Sequence, residues 1–131
     1  MKNNCDVNSM DILALAHMGD CVYELMTRTY FCNAGTLSLH ELHTKTVSKV
    51  NATAQAQAFS AISDKLFDDE LAVFKRGRNA KVNSIPKKAS VSDYHYATGV
   101  EALFGYLYLN NRTDRIAELY NIISQQYLEY N

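Results

Sequence analysis

An all-α, single-domain fold is what this sequence predicts, on three observations. Apolar residues recur at helical rather than alternating spacing along most of the chain. Breakers are scarce, with one proline and five glycines among 131 residues. The polar clusters that do occur read as helix caps and short turns. No convincing β alternation appears, and no repeat returns at a fixed period. A chain of 131 residues suits one domain with a core of its own. Its 47% hydrophobic and 21% charged content marks it as globular. Six or so helices are expected over residues 10–131, after a polar, loose N-terminus over 1–9.

Each element follows from its own residues. Asp11 or Ser9 can cap a first helix from about Ile12 to about Cys32, closed by Asn33, Ala34 and Gly35, with Gly35 as a left-handed stop. Ser38 and Glu41 have capping-box spacing, so a second helix starts there and continues through "LHTKTVS". Asn51 caps a third, "ATAQAQAFSAISDKLF", whose alanine-rich face lets a neighbour approach closely. Asp68 or Asp69 caps "ELAVFKRGRNAK", which Gly77 interrupts. "VNSIPKKASVS" is the clear loop and holds the only proline. Ser92 and Asp93 open "YHYATGVEALFGYLYL", and "NNRT" makes a tight turn. The last helix starts at Thr113 and runs through Ile116, Leu119, Ile122, Ile123 and Tyr127, an amphipathic stripe.

The three cysteines are odd in number and form no CxxC pair. Cys21 falls in the apolar first helix, where a reduced thiol packs as a small hydrophobe. This usage favours a reducing, cytoplasmic compartment. There is no apolar run long enough to span a membrane and no signal-peptide core, so no membrane partner is expected.

Two carboxylates stand out. The stretch "LALAHMGDCVYELM" is apolar nearly all round and reads as buried, yet it carries Asp20 and Glu24 one turn apart on one face. Glu101 sits likewise in "GVEALFGYLYL". A carboxylate in apolar surroundings is costly unless paired. A glycine accompanies each acid, Gly19 beside Asp20 and Gly105 one turn after Glu101, and an interior glycine costs about 1 kcal/mol relative to alanine. That suggests closely crossing helices. If these two helices pack together, Asp20 and Glu101 converge, and a divalent cation relieves their repulsion. Hard oxygen ligands with water completing the shell suit Mg²⁺. The plainer reading is that each acid is capped by an Arg, Lys or Tyr in the core.

The net charge of −1 is uninformative, but its distribution is not. Lys75, Arg76, Arg78, Lys81, Lys87 and Lys88 fall in one acid-free window, together with Asn79. Arginine takes phosphate bidentately, lysine acts as a point charge, and asparagine reaches sugar or base edges. This supports a nucleic-acid contact, and a solvated charged face is the plainer reading. His40 and His43 have metal-ligand spacing without an evident third ligand. His17 reads as packed, and the nine tyrosines as core and interface residues. There is no GxSxG, P-loop or dinucleotide fingerprint.

"MGDCVYEL" followed much later by "VEALFGYLYL" resembles the two acidic motifs of the ribonuclease III catalytic domain, at Gly19-Asp20 and at Glu101, Ala102, Leu103 and Gly105. "RGRNAK" between them, from Arg76 to Lys81, and the short length resemble the Mini-ribonuclease III branch, which has the catalytic domain without a separate double-stranded RNA-binding domain. The resemblance covers about residues 10–128. Long-form members carry a further glutamate and a further aspartate where this sequence has Leu13 and Thr98, a reduction the Mini branch shares.

The resemblance implies an all-α endonuclease domain that acts as a twofold homodimer and cuts both strands of double-stranded RNA with Mg²⁺. It implies 5′-phosphate and 3′-hydroxyl ends, a 23S ribosomal RNA precursor as substrate, and a ribosomal protein as accessory. Asp20 and Glu101 are then the catalytic metal ligands, and Glu24 supports Asp20 or serves the dimer interface. Lys75, Arg76, Arg78, Asn79, Lys81, Lys87 and Lys88 are the RNA contacts, with selectivity from substrate structure and the 82–92 loop. Two other readings stay open: a non-catalytic double-stranded-RNA-binding homodimer of the same fold, and a helical dimeric interaction protein.

Overall fold

The computed structural model describes residues 6–82 and 84–129. Among these all regular structure is helical: a 3-10 turn Val7–Ser9, then α1 (Ile12–Asn33), α2 (Leu39–Val50), α3 (Ala52–Ile62), α4 (Asp68–Arg78), α5 (Val91–Leu109) and α6 (Thr113–Glu129). The all-α expectation holds. The Ser38–Glu41 capping box forms with both bonds at 3.1 Å. Asn51 caps α3 by accepting from the Ala54 N–H at 2.9 Å.

α5 is the axis of the fold. It is buried from Ala97 to Leu107 apart from Glu101, and α1, α3, α4 and α6 pack around it. A helix hydrophobic all round is the one a small helical domain can place at its centre. Glycines set how near its neighbours come. A Cβ on Gly19 would lie 1.5 Å from the Glu101 carbonyl oxygen, and one on Gly105 would lie 2.0 Å from that of Leu15, so α1 and α5 cross backbone against backbone.

Gly77 does the same for α4, where a Cβ would meet Gly99 Cα and Ala102 Cβ at 2.9 Å each. α4 runs one residue past it and ends at Arg78, so the expected segment stops beside Gly77 and short of Lys81. Packing against α5 outweighs a glycine penalty of about 1 kcal/mol.

Aromatic pairs fill the remaining space. Phe59 and Phe74 stack with centroids 3.8 Å apart, and Tyr23 meets Phe104 edge-on at 5.1 Å. Buried hydroxyls tie α6 to α1: Tyr120 Oη donates to Thr27 Oγ1 at 2.7 Å and lies 2.9 Å from Tyr127 Oη.

Several boundaries differ from the sequence reading. α3 ends at Ile62 rather than near Phe67, and a turn precedes α4. The α4 N-cap is Phe67, whose N–H donates to Glu70 Oε1 at 2.9 Å, so neither aspartate caps it. α5 starts at Val91, with Ser90 Oγ accepting from the Asp93 N–H at 3.0 Å. Asp11 caps α1 without a side-chain bond.

Residues 1–5 of the expected loose terminus lie outside the described residues, while Val7, in the 3-10 turn that Asp6 caps, is buried against the core. Nor is α1 buried all round. Asp20 and Cys21 are exposed and Leu25 is 58% exposed, because the single chain has only enough helices to cover one side of it.

Candidate active site

The α1–α5 crossing builds the site. Since Gly19 rests on the Glu101 carbonyl, the next residue, Asp20, is delivered beside the Glu101 side chain. The two acids are near enough to share a hydrogen bond. Burial, reinforced by the charge of Asp20 and by that shared bond, pushes the Glu101 carboxyl up to about 8. A third partner comes from α3: Gln55 Nε2 donates to Glu101 Oε2 at 3.4 Å and favours the ionised form.

Glu101 is half-buried in a cleft of about 480 Å³ between the start of α3, the loop before α5 and α5 itself, with Gln55, Lys88, Tyr94 and Thr98 in its lining. Asp20 opens instead onto the exposed face of α1, beside His17, Cys21, Glu24 and Leu25. The pair thus joins a cleft to an open surface.

The donor chemistry fits a hard divalent cation. Two carboxylates pressed together repel, one is driven toward its neutral form, and a dication relieves both effects. Among the described residues neither acid is neutralised by an Arg or Lys, which distinguishes them from Glu70, a fully buried carboxylate held by Arg115 Nε at 2.8 Å. No group of three His, Cys, Asp or Glu gathers among the described residues, so Asp20 and Glu101 are the two carboxylates this crossing could offer a cation.

The positions of the two acids that the resemblance assigns to long-form ribonucleases III hold side chains that cannot ligate as carboxylates, although Thr98 lines the Glu101 cleft. Leu13 is on the open side of α1, and Thr98 Oγ1 donates to the Tyr94 carbonyl at 3.0 Å.

The other residues singled out in the sequence divide. Glu24 turns to Arg28 at 2.6 Å. Lys88 lines the Glu101 cleft. Lys75, Arg76, Asn79, Lys81 and Lys87 are exposed, and Arg76 reaches toward the Met10 carbonyl at 3.5 Å. Arg78 is half-buried, lying over the rings of Phe74 and Tyr96 while its Nε donates to Asn79 Oδ1 at 3.2 Å. Among the described residues none of the six basic side chains is in an ion pair. Gln55 was not legible in advance. In "AQAQA" it looks like Gln57, and only the fold buries one and exposes the other.

A family model described as the ribonuclease III domain matches residues 13–112, and the chain belongs to the ribonuclease III family. It is an endoribonuclease. The Mini-ribonuclease 3 of Clostridium tetani is 42% identical over 125 residues, covering 95% of this chain and 83% of that protein. That of Desulfitobacterium hafniense is 43% identical over 116 residues, covering 88% and 73%. That of Staphylococcus aureus is 34% identical over 127 residues, covering 94% and 95%. Within the family the chain therefore falls in the Mini-ribonuclease III branch. A crystal structure of a protein from Fusobacterium nucleatum superposes with a TM-score of 0.83 at 30% identity, covering 93% of this chain and 98% of that one.

Proposed function

We propose that the chain hydrolyses double-stranded RNA as a homodimer, with Mg²⁺ held by Asp20 and Glu101. The observation that carries this is the pairing of these two carboxylates without a basic partner at the α1–α5 crossing. When bound, the cation supplies positive charge at the phosphate and acidifies a nearby water. The chain's own part is to hold two ionised carboxylates in fixed positions and to present the RNA backbone to them.

Water adds to phosphorus and the bond to the 3′ oxygen breaks, leaving 5′-phosphate and 3′-hydroxyl ends. Lys88 lines the Glu101 cleft, which supports its contact with a phosphate near the cut. Lys75, Arg76, Arg78, Asn79, Lys81 and Lys87 extend the contact along the backbone. A-form RNA is read mainly by shape, through phosphates and 2′-hydroxyls, so a basic surface with a shaped loop suffices for recognition.

The exposed apolar side of α1 and α2, where Leu25 is 58%, Leu39 83% and Val47 49% exposed, supports a second protomer there. Two equivalent sites related by a twofold axis match the pseudo-twofold symmetry of an RNA duplex. Glu24, on this side and paired with Arg28, then serves the interface more than Asp20. The branch to which the chain belongs suggests maturation of a 23S ribosomal RNA precursor in the cytoplasm, with a ribosomal protein as accessory.

End-labelled duplex RNA, incubated with the protein and either Mg²⁺ or EDTA, tests the reading. Cutting of both strands that needs Mg²⁺ and is lost in Asp20→Asn and in Glu101→Gln is the expected result. Full activity in either variant removes that residue from the site. Salt-sensitive binding without any cutting supports the non-catalytic homodimer instead.

A further inference from the structure

Gln55 is a polar side chain on a face that helical periodicity would fill with an apolar one. It lies on the buried side of α3 with Ala58 and Ile62 and is 2% exposed. A buried amide left unpaired costs on the order of 1–3 kcal/mol, so as filler it is inferior to the alanines around it. Its recorded side-chain partner is Glu101, 46 positions away, with Nε2 at 3.4 Å from Oε2. An ionised carboxylate only accepts, so the NH₂ side of the amide must face it.

A glutamate carboxylate turns easily about its last torsion. Asp20, an exposed residue, does not by itself fix that torsion in Glu101. A donor on the buried side of α3 does, because close packing restricts the Gln55 side chain.

We propose that Gln55 is a positioning residue: its amide N–H holds one oxygen of Glu101 and so sets the plane in which that carboxylate meets a divalent cation. This rests on the reading of Asp20 and Glu101 as cation ligands. Gln55 itself touches neither the phosphate nor the attacking water. Partners that orient a metal ligand typically carry about 10 to 100-fold in metal affinity or activity.

The test uses the whole protein and Mn²⁺ as the probe. Mn²⁺ binding is measured by calorimetry without RNA, duplex affinity is measured in EDTA, and kcat is measured in Mg²⁺. Gln55→Met keeps the volume and removes the donor. It should bind Mn²⁺ about 10-fold more weakly or worse and lose kcat, with duplex affinity unchanged. Parent-like Mn²⁺ binding in Gln55→Met overturns the proposal.

If that variant melts too low to assay, Gln55→Asn carries the test. It keeps a polar amide but draws the donor back from Glu101 by one methylene, so Mn²⁺ binding should weaken about 10-fold, and parent-like binding overturns the proposal. Glu101→Gln is run alongside. If it still binds Mn²⁺ and cuts, the metal-site reading has failed and this inference with it. If it is inactive while Gln55→Met matches the parent, only the inference has failed.

Discussion

Gly19 and Glu101 touch through their backbones, with the Glu101 carbonyl oxygen 1.5 Å from where a Gly19 Cβ would stand. One contact therefore does two jobs. It lets the first helix cross the central one, and it sets Asp20 beside Glu101.

Gly19→Ala should accordingly be among the most damaging single substitutions in the chain. Overpacked cores typically lose about 1–3 kcal/mol, and here the obstacle is backbone rather than a side chain that can swing away. Chemical denaturation should show a loss at the upper end of that range or beyond, with cutting impaired in whatever protein still folds. A parent-like midpoint would mean that the helices can separate freely at this crossing.

The raised Glu101 carboxyl gives the cation-free protein a defined pH dependence. In the unfolded chain Glu101 releases its proton near its ordinary 4.5, whereas in the fold it holds it to about 8. Between those values the folded state binds more protons, so this group's contribution to stability falls as pH rises from about 4.5 to about 8 and is level beyond. Asp20→Asn removes the neighbouring charge and should flatten that fall. Thermal melts in EDTA from pH 5 to 9 would read it, and equal slopes for parent and variant would contradict it. Added Mg²⁺ should restore the parent at the alkaline end.

Arg76→Ala combined with Arg78→Ala should weaken duplex binding at moderate salt. The log–log salt dependence should lose about one unit of slope for each phosphate contact removed. Mn²⁺ affinity should stay as it was. Because Arg78 also lies over Phe74 and Tyr96, a small loss of melting temperature is expected as well. Unchanged RNA binding would remove α4 from the RNA surface.

Arg115→Met addresses stability alone. It leaves Glu70, fully buried at the start of α4, without the guanidinium that bonds it at 2.8 and 2.9 Å, and keeps the Phe67 N–H at 2.9 Å and the longer contact to Arg112 at 3.6 Å. Breaking a buried pair from one side costs about 3–5 kcal/mol. Denaturant titration should find a loss of that order, and Glu70→Gln in the same background should recover part of it. A loss under about 1 kcal/mol, the range of exposed pairs, would mean water reaches Glu70.

Much of the fold was legible in the chain because helices are local objects. The Ser38–Glu41 box, the Asn51 cap, the "NNRT" turn and the 3.6-residue stripes each involve partners within a few positions, so spacing alone encodes them. Asp20 and Glu101 could be singled out the same way, as acids out of place in apolar helices with a glycine beside each. Some misses were equally local and shifted a cap by a position or two, as with Ser90 in place of Ser92 on α5. Others came from a distant neighbour: Gly77 sits in the last turn of α4 because α5 at Gly99 and Ala102 leaves no room for a Cβ.

Gln55 and Glu70 lay beyond such reasoning. Their partners stand 46 and 45 positions away, and no spacing rule connects residues so far apart. The exposed side of α1 was misread for a related reason. Apolar composition says that a surface must be covered, but not whether this chain's own helices reach it. Spacing thus set the helices, their caps and the choice of acids. Burial, the approach of Gln55 and the open face of α1 arise from contacts between segments far apart in the chain, which exist only once the helices have packed around α5.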